Sequence, residues 1–247
     1  MSESEPAIDS RPEVWQGDAL VRTYLQDVRD GIPYGVDQIE VALRVATSLQ
    51  PTVTNILDLG CGDGIVGSAA LQIWPEAKLA LVDFSEPMLD AARRRFPEAI
   101  EVAFVHADFG EPDWIERVSE RSPFDLMISA YAIHHQPDDR KRAIYGEIVE
   151  LLAPGGVFIN IEHVQSTTPR ISAIWDQLLV ERLMQQHPDR DPVVVERVYA
   201  KRPDRAANRL APVERQLDWL RDLGLSDVDC YFKVLELAVF GGQKGTG

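Results

Sequence analysis

The sequence predicts an α/β protein in which strands and helices alternate around one sheet. Short apolar runs alternate with amphipathic helical patterns along most of the 247 residues. A glycine-rich turn, Gly60 to Gly64, follows the apolar run Ile56–Leu59 and leads directly into a helical pattern. This strand, turn and helix succession is typical of folds that bind a nucleotide-like ligand. A hydrophobic content of 45% is sufficient for one large core.

The charge and cysteine content narrow the possible partners. A formal net charge of -15 disfavours binding to nucleic acid and to anionic membranes, whose phosphate groups repel an acidic protein. No apolar run approaches membrane-spanning length, and residues 1–6 lack the features of a signal peptide. Cys61 and Cys230 form neither a disulfide framework nor a metal-ligand spacing. We expect a cytoplasmic protein that acts on a small molecule and contains no metal. It would be a monomer or a homodimer.

Two helical patterns precede the first predicted strand. Residues 14–28 carry apolar side chains at helical spacing, and residues 36–46 do so again. The segment Gly31–Gly35, which contains Pro33 and Tyr34, separates the two. We therefore expect a pair of helices at the start of the chain.

The glycine turn admits two interpretations. Gly62–Gly67 fits the dinucleotide fingerprint G-x-G-x-x-G, which places a diphosphate at the N-terminus of a helix. Asp58 and Asp63 would repel a diphosphate there. The same two carboxylates would instead favour a ligand that carries a sulfonium and an ammonium group. The charge pattern therefore disfavours a nicotinamide cofactor.

The run Asp58–Gly64, Asp-Leu-Gly-Cys-Gly-Asp-Gly, resembles motif I of the class I S-adenosylmethionine-dependent methyltransferases. The resemblance extends in order to Phe240. It includes Phe124-Asp125 before an apolar strand and the Leu-x-Pro-Gly-Gly phrase at Leu152–Phe158. It implies a Rossmann-like, seven-stranded and mostly parallel sheet with helices on both faces and the last strand antiparallel. It also implies S-adenosylmethionine as methyl donor, S-adenosylhomocysteine as product and a small-molecule acceptor.

The same resemblance implies a division of the chain. Residues 1–50 would form N-terminal helices that cover the cofactor, and residues 51–247 would form the methyltransferase domain. Within that domain, residues 187–211 are irregular and basic, and we expect them to form a lid-like insertion.

Cofactor contacts are expected where the first four strands end. Asp83 closes the strand pattern Lys78–Val82 about 20 positions after the glycine turn, where a carboxylate can accept hydrogen bonds from two ribose hydroxyls. The resemblance implies that Asp108 accepts from the adenine amino group and that Phe109 stacks on the ring. The predicted cofactor contacts are Tyr34, Asp58, Gly60, Cys61, Gly62, Asp83, Phe84, Met88, Asp108, Phe109, Ser129 and Ala130.

Candidate catalytic residues follow the fourth and fifth strands. His134 and His135 come shortly after the strand pattern Phe124–Ser129, and either imidazole could remove a proton from an oxygen or nitrogen nucleophile. Either could also merely shape the pocket. Glu162 ends the fifth strand and would act as a base if it were desolvated. The predicted catalytic residues are therefore His134, His135 and Glu162, and the predicted substrate contacts are His163, Arg197 and Arg202.

Two alternatives to methyl transfer stay open. The segment Asp30–Gly35 and the ending Cys230–Phe240 are distantly similar to carboxy-S-adenosylmethionine synthases. Those enzymes need an arginine for a carboxylate, which Arg197 or Arg202 would supply. The other alternative is a non-catalytic module that binds S-adenosylmethionine with the same fold.

Overall fold

The computed structural model describes residues 15–17, 21, 25, 32–96, 101–186, 188–200, 205 and 207–246. Within these ranges the centre of the molecule is a seven-stranded sheet. Its strands are β1 (Asn55–Leu59), β2 (Lys78–Asp83), β3 (Val102–His106), β4 (Phe124–Ala130), β5 (Leu152–His163), β6 (Leu225–Val234) and β7 (Leu237–Lys244). Their spatial order is β3-β2-β1-β4-β5-β7-β6. β1 to β5 are parallel, and the last strand, β7, runs antiparallel to both β5 and β6, which confirms the predicted architecture.

Helices surround the sheet. They are α1 (Gly35–Leu49), α2 (Ile65–Ile73), α3 (Glu86–Arg93), α4 (Trp114–Val118), α5 (Asp138–Leu151), α6 (Pro169–Gln186), α7 (Pro192–Ala200) and α8 (Val213–Asp222). Among the described residues, none of these helices has the length and apolar composition that crossing a membrane requires. The predicted helix at residues 14–28 lies almost entirely outside the described residues.

Two apolar cores lie on opposite faces of the sheet. Successive strand residues alternate between them, because side chains along a strand point to opposite faces. In β1, Leu57 and Leu59 belong to the core that also contains residues of α4, α5 and α8. Ile56 belongs to the other core, with residues of α1, α2 and α3. The helices therefore cover both faces, as predicted.

Two strands run through glycine-containing segments. β5 begins at Leu152, so that the Pro-Gly-Gly phrase lies within the strand, next to a register irregularity between β4 and β5. β7 continues through Gly241 and Gly242 instead of ending at Phe240. A Cβ at Gly241 would overlap the carbonyl oxygen of Phe158 on β5, so glycine permits the close approach of these strands.

The sheet order brings the ends of β1 and β4 side by side. The connection from β1 passes outward to β2 and β3, and the chain then returns to β4 on the other side of β1. Crevices at such a switch point, outside the carboxyl ends of the strands, are where open α/β sheets bind ligands. The loops that carry Gly60 and His134 leave the sheet at this point.

Candidate active site

A cavity of about 370 Å³ lies at the carboxyl ends of the parallel strands. Its wall contains residues that follow each of β1 to β5, together with residues of α6, α7 and the turn between β6 and β7. Eleven of the predicted site residues line it. They are Gly60, Gly62, Asp83, Phe84, Met88, Asp108, Phe109, Ala130, His134, His135 and His163.

The glycine turn forms one wall with bare backbone. Gly60, Gly62 and Gly64 have φ values of 69°, 54° and 74°, a left-handed conformation that strains other residues. A Cβ at Gly60 would overlap the Cβ of Ala132. The Gly60 N–H also donates to the carbonyl of Val82, at 2.8 Å, which fixes the turn against β2. The turn thus presents peptide groups to a ligand at short range.

Asp83 lies beside this turn with both carboxylate oxygens oriented. Oδ2 accepts from the Gly62 N–H at 2.8 Å, and Oδ1 accepts from the Ser85 N–H at 2.9 Å. Each carboxylate oxygen has a second lone pair with which it can accept a ligand hydroxyl. Burial raises the pKa of Asp83 to about 6, and the hydrogen bonds from Ser85 and Gly62 oppose that rise. Asp83 is therefore suited to a diol, and a nearby positive charge would favour its ionised form.

Asp108 and Phe109 follow β3, which lies next to β2 in the sheet. Asp108 Oδ1 accepts from the Gly110 N–H at 2.7 Å, which orients the carboxylate in the loop. Phe109 is buried, and its ring edge lies 3.3 Å from the position of a Cβ on Gly60. A polar group and an aromatic ring thus lie side by side at this end of the cavity.

Four predicted cofactor residues do not line the cavity. Asp58 Oδ2 instead accepts from the Gly67 N–H at 2.9 Å, in the first turn of α2. The Ser129 hydroxyl donates to the Leu59 carbonyl at 2.8 Å and joins β4 to β1. The side chains of Asp58 and Ser129 therefore hold the ends of β1 and α2 in place without lining the cavity. The four residues are Tyr34, Asp58, Cys61 and Ser129.

His134 forms a buried pair with Glu162. Both are predicted catalytic residues, but Glu162 lies behind the cavity wall and does not line the cavity. The imidazole Nδ1 lies 2.6 Å from Glu162 Oε1, and the two side chains are 7% and 0% exposed. Burial raises the pKa of Glu162 to about 7, although the hydrogen bond from the His163 N–H and the positive charge of Lys141 both act to lower it. A carboxylate that accepts from Nδ1–H fixes the tautomer in which Nε2 is the proton acceptor. The pair is thereby arranged for general base chemistry.

His135 has a different environment. Its Nδ1 lies 3.3 Å from the carbonyl oxygen of Ala207. Its ring centroid lies 4.0 Å from that of His134 and 6.0 Å from that of Trp15. Both imidazoles line the cavity, and the Glu162 carboxylate orients that of His134 through Nδ1.

The part of the cavity beyond the histidines is formed by residues that sequence reasoning missed. His163, a predicted substrate contact, pairs through Nε2 with Glu236 Oε2 at 2.8 Å. Glu236 interrupts the apolar run Val234–Leu237, which was the one local signal of a buried carboxylate there. Of the other predicted substrate contacts, Arg202 and the side chain of Arg197 lie outside the described residues. The missed lining residues beyond the histidines are Ser172, Trp175, Asp176, Leu179, Tyr199, Arg205, Asn208, Leu210, Glu236 and Leu237.

Comparison with known proteins agrees with this geometry. The family model described as a methyltransferase domain matches residues 56–156. Trans-aconitate 2-methyltransferase from Acidovorax sp. (strain JS42) is 33% identical over 119 residues, which is 48% of this chain and 41% of that protein. The chain therefore matches less than half the length of this curated relative.

Two solved structures share the fold over nearly the whole chain. An O-methyltransferase family protein from Burkholderia thailandensis has a TM-score of 0.65 at 18% identity, covering 97% of this chain and 66% of that one. Human N-acetylserotonin methyltransferase in complex with SAM has a TM-score of 0.63 at 16% identity, covering 98% and 61%. Residues 56–156 thus match a methyltransferase domain, and the chain shares the fold of these two methyltransferase structures.

Proposed function

We propose that this protein transfers the methyl group of S-adenosylmethionine to a protonated oxygen or nitrogen of a small-molecule acceptor. The observation that carries the proposal is the His134–Glu162 pair, 2.6 Å apart, whose imidazole lines a cavity that is also lined by the glycine turn, Asp83 and Asp108. The cavity thus combines groups suited to an adenosine with a base for the acceptor. The family of the matched domain supports the same activity.

The residues present fit S-adenosylmethionine. Asp83 would hold the ribose hydroxyls, Asp108 and Phe109 the adenine, and the backbone of Gly60 and Gly62 the amino acid portion. The acidic surroundings also suit a cation: burial raises the pKa of Asp58 to about 7 and that of Asp83 to about 6, and a cation bound nearby would favour the ionised form of both and be attracted to it. When bound, the sulfonium supplies an electrophilic methyl group.

The chain's own contribution is to position the acceptor and to take its proton. His134 Nε2 accepts the proton of the acceptor hydroxyl or amine, which makes the acceptor atom nucleophilic. Glu162 accepts from Nδ1–H throughout, and its charge stabilises the imidazolium that forms. The aromatic and aliphatic residues around the cavity, among them Trp175 and Leu179, exclude water from the reacting atoms.

Several expectations remain part of this proposal. The net charge of -15 supports a small-molecule acceptor in place of nucleic acid. A cytoplasmic location also remains a prediction. Residues 1–50 would cover the cofactor, residues 51–247 would form the catalytic domain and residues 187–211 would act as a lid. Trp15, Tyr199 and Arg205, which line the cavity, support the first and last of these roles. A homodimer also remains a prediction.

The carboxy-S-adenosylmethionine synthase alternative has less support. The arginines it would use are Arg202, outside the described residues, and Arg197, whose side chain is outside them. The matched family model describes a methyltransferase domain. We therefore take methyl transfer as the proposed activity.

The proposal is tested by product formation. Wild-type protein is incubated with S-adenosylmethionine and a panel of phenols, alcohols and amines, and S-adenosylhomocysteine is measured by mass spectrometry. At saturating substrates, His134→Gln should lower the rate about 10²–10⁴-fold, whereas His135→Gln should lower it less. S-adenosylmethionine affinity, measured by calorimetry, serves as the control for both variants. Binding of S-adenosylmethionine without methylation of any acceptor would favour the non-catalytic alternative, and a fully active His134→Gln would exclude His134 as the base.

A further inference from the structure

The cavity beyond the catalytic histidines, here called the acceptor end, contains two carboxylates that are each paired with a cationic side chain. Asp176 pairs with Arg205, and Glu236 pairs with His163. The residues that define the acceptor end are His163, Ser172, Trp175, Asp176, Leu179, Tyr199, Arg205, Asn208, Leu210, Glu236 and Leu237.

The Asp176–Arg205 pair is held by contacts from three parts of the chain. Asp176, on α6, accepts from Arg205 Nη2 through Oδ2 at 2.7 Å and from the Tyr199 hydroxyl through Oδ1 at 3.3 Å. The Arg205 guanidinium carbon lies 4.8 Å from the centroid of the Tyr199 ring, which is buried. The guanidinium is therefore fixed against a carboxylate and an aromatic face. Arg205 enters the cavity as half of a neutral pair and not as a lone positive charge.

The second pair adds no positive charge. Glu236 is 4% exposed, and burial, the largest single influence, would raise its pKa; the hydrogen bonds from His163, Ser166 and Ser172 and the charge of His163 together lower it. An ionised Glu236 beside His163 gives a net charge of zero if the imidazole is protonated and of minus one if it is neutral. Neither state attracts an anion.

The charge balance of the described wall is therefore acidic. Among the lining residues that the structure describes, Arg205 is opposed by four carboxylates, those of Asp83, Asp108, Asp176 and Glu236. Like charges separated by a few ångströms repel each other by several kcal/mol at the effective dielectric of a protein surface, so a carboxylate added here would meet net repulsion.

The remaining wall of the acceptor end is mostly apolar. Trp175, Leu179, Leu210 and Leu237 all line it, and Trp175 and Leu237 are almost completely buried. Such a surface stabilises the apolar body of a ligand by removing it from water.

We infer that the acceptor is a largely apolar molecule that bears no carboxylate, and that Asp176 determines this specificity by neutralising Arg205 and so excluding carboxylate-bearing acceptors. The inference rests on the proposed function, since it concerns the acceptor of that same cavity. Asp176 acts here through its effect on Arg205 and takes no part in proton transfer.

The test is a calorimetric titration with two matched probes, with and without saturating S-adenosylhomocysteine. 2-Naphthol and 6-hydroxy-2-naphthoate have the same hydroxylated two-ring body and differ only in a carboxylate. Wild-type protein should bind 2-naphthol at least about tenfold more tightly than the naphthoate. Asp176→Asn, which leaves the Arg205 charge uncompensated, should tighten naphthoate binding about tenfold. It should change 2-naphthol binding by less than about threefold.

Two further variants serve as controls. Glu181→Gln removes one carboxylate from an exposed position of the same helix, α6, and should leave both affinities unchanged. Arg205→Gln removes the cation but keeps Asp176, and should weaken naphthoate binding further. Circular dichroism establishes that each variant is folded, and the wild-type preference tests the inference even if Asp176→Asn does not fold.

The inference is overturned if wild-type protein binds the naphthoate as tightly as 2-naphthol, if it binds neither probe, or if folded Asp176→Asn keeps the wild-type ratio. These titrations require no turnover. Selective binding of 2-naphthol without methylation of any acceptor would therefore contradict the proposed function and leave the charge selectivity intact.

Discussion

The His134–Glu162 pair distinguishes two neighbouring histidines that the sequence presents as equivalent. His134 Nδ1 faces a fully buried carboxylate, whereas His135 Nδ1 faces the carbonyl oxygen of Ala207. A carbonyl fixes the tautomer but carries no full charge, so it stabilises an imidazolium less than a carboxylate does. Glu162 also accepts from the His163 N–H at 2.9 Å, which holds the carboxylate in place when His134 changes its protonation state.

A substitution at Glu162 tests this assignment. Glu162→Gln keeps an oxygen that can accept from His134 Nδ1–H but removes the charge that stabilises the imidazolium. We expect kcat to fall on the order of 10²-fold near neutral pH. The loss should shrink as the pH approaches the pKa of the acceptor hydroxyl, because an acceptor that arrives ionised needs no base. A pH–rate profile of wild type and variant measures both effects, and a loss that is constant across pH would point to a purely structural role.

At the scale of single elements, the junction of β1 and α2 contains a buried carboxyl group with an incomplete set of hydrogen bonds. Asp58 is 1% exposed; Oδ2 accepts from the Gly67 N–H, and Oδ1 has no hydrogen-bond partner among the described residues. Burial raises the pKa of Asp58 to about 7, the Gly67 N–H opposes this, and the charges of Asp83 and Asp63 add to it. The folded protein therefore keeps a proton here that the unfolded chain releases near its ordinary pKa of 3.8.

This linkage predicts that the unliganded protein loses stability as the pH rises. Between about pH 4 and pH 7 the folded state binds more protons than the unfolded state, so the free energy of unfolding falls by up to about 1.4 kcal/mol per pH unit for one group. Asp83 and Glu162, with pKa values raised to about 6 and about 7, act in the same direction. Urea denaturation at pH 5, 6, 7 and 8 measures the slope.

Asp58→Asn should reduce that slope by up to about 1.4 kcal/mol per pH unit, because the amide does not titrate. Glu150→Gln, at an exposed position of α5, is the matched control and should keep the wild-type slope. A wild-type protein whose stability rises from pH 5 to pH 7 would show that the buried carboxyls are ionised in the folded state.

The position of each site residue relative to the strands and helices explains which parts of the site the sequence could predict. Gly60, Asp83 and Asp108 follow strands at short, regular distances, so their positions at the sheet edge could be inferred locally. Asp176 and Arg205 could not be inferred in this way. Asp176 lies within the helical pattern of α6, and it meets Arg205 only because α6, α7 and the segment after them pack together at the cavity. Long-range packing of this kind leaves no fixed spacing in the sequence.

For the molecule as a whole, the cavity joins three regions of the chain. Trp15 comes from the N-terminal region, the glycine turn and the histidines come from the sheet edge, and Tyr199 comes from α7. The Trp15 carbonyl accepts from the Ser85 hydroxyl at 2.6 Å, so the N-terminal region is tied to the start of α3. A ligand in the cavity contacts all three regions at once, and its binding should therefore stabilise the entire fold.

Thermal unfolding with different cofactors tests the nature of the site at this scale. S-adenosylmethionine at about one hundred times its Kd should add about 2.7 kcal/mol to the free energy of unfolding. For a chain of this size that corresponds to a rise in Tm of about 5–10 °C. NAD should give no shift at the same concentration, because its diphosphate is anionic and it lacks the sulfonium and ammonium groups that the acidic surroundings of the glycine turn favour. Scanning calorimetry of the protein with each cofactor measures the difference.

A substitution at Asp83 connects this shift to the predicted site. Asp83→Asn removes the carboxylate that would accept both ribose hydroxyls, and it should abolish most of the rise in Tm with S-adenosylmethionine. Asp90→Asn, on the exposed face of α3, removes a carboxylate of the same type and should keep the rise. A larger shift with NAD than with S-adenosylmethionine would contradict the charge argument for the glycine turn. An unchanged rise in Tm in Asp83→Asn would instead show that the ribose does not bind to Asp83 at the end of β2.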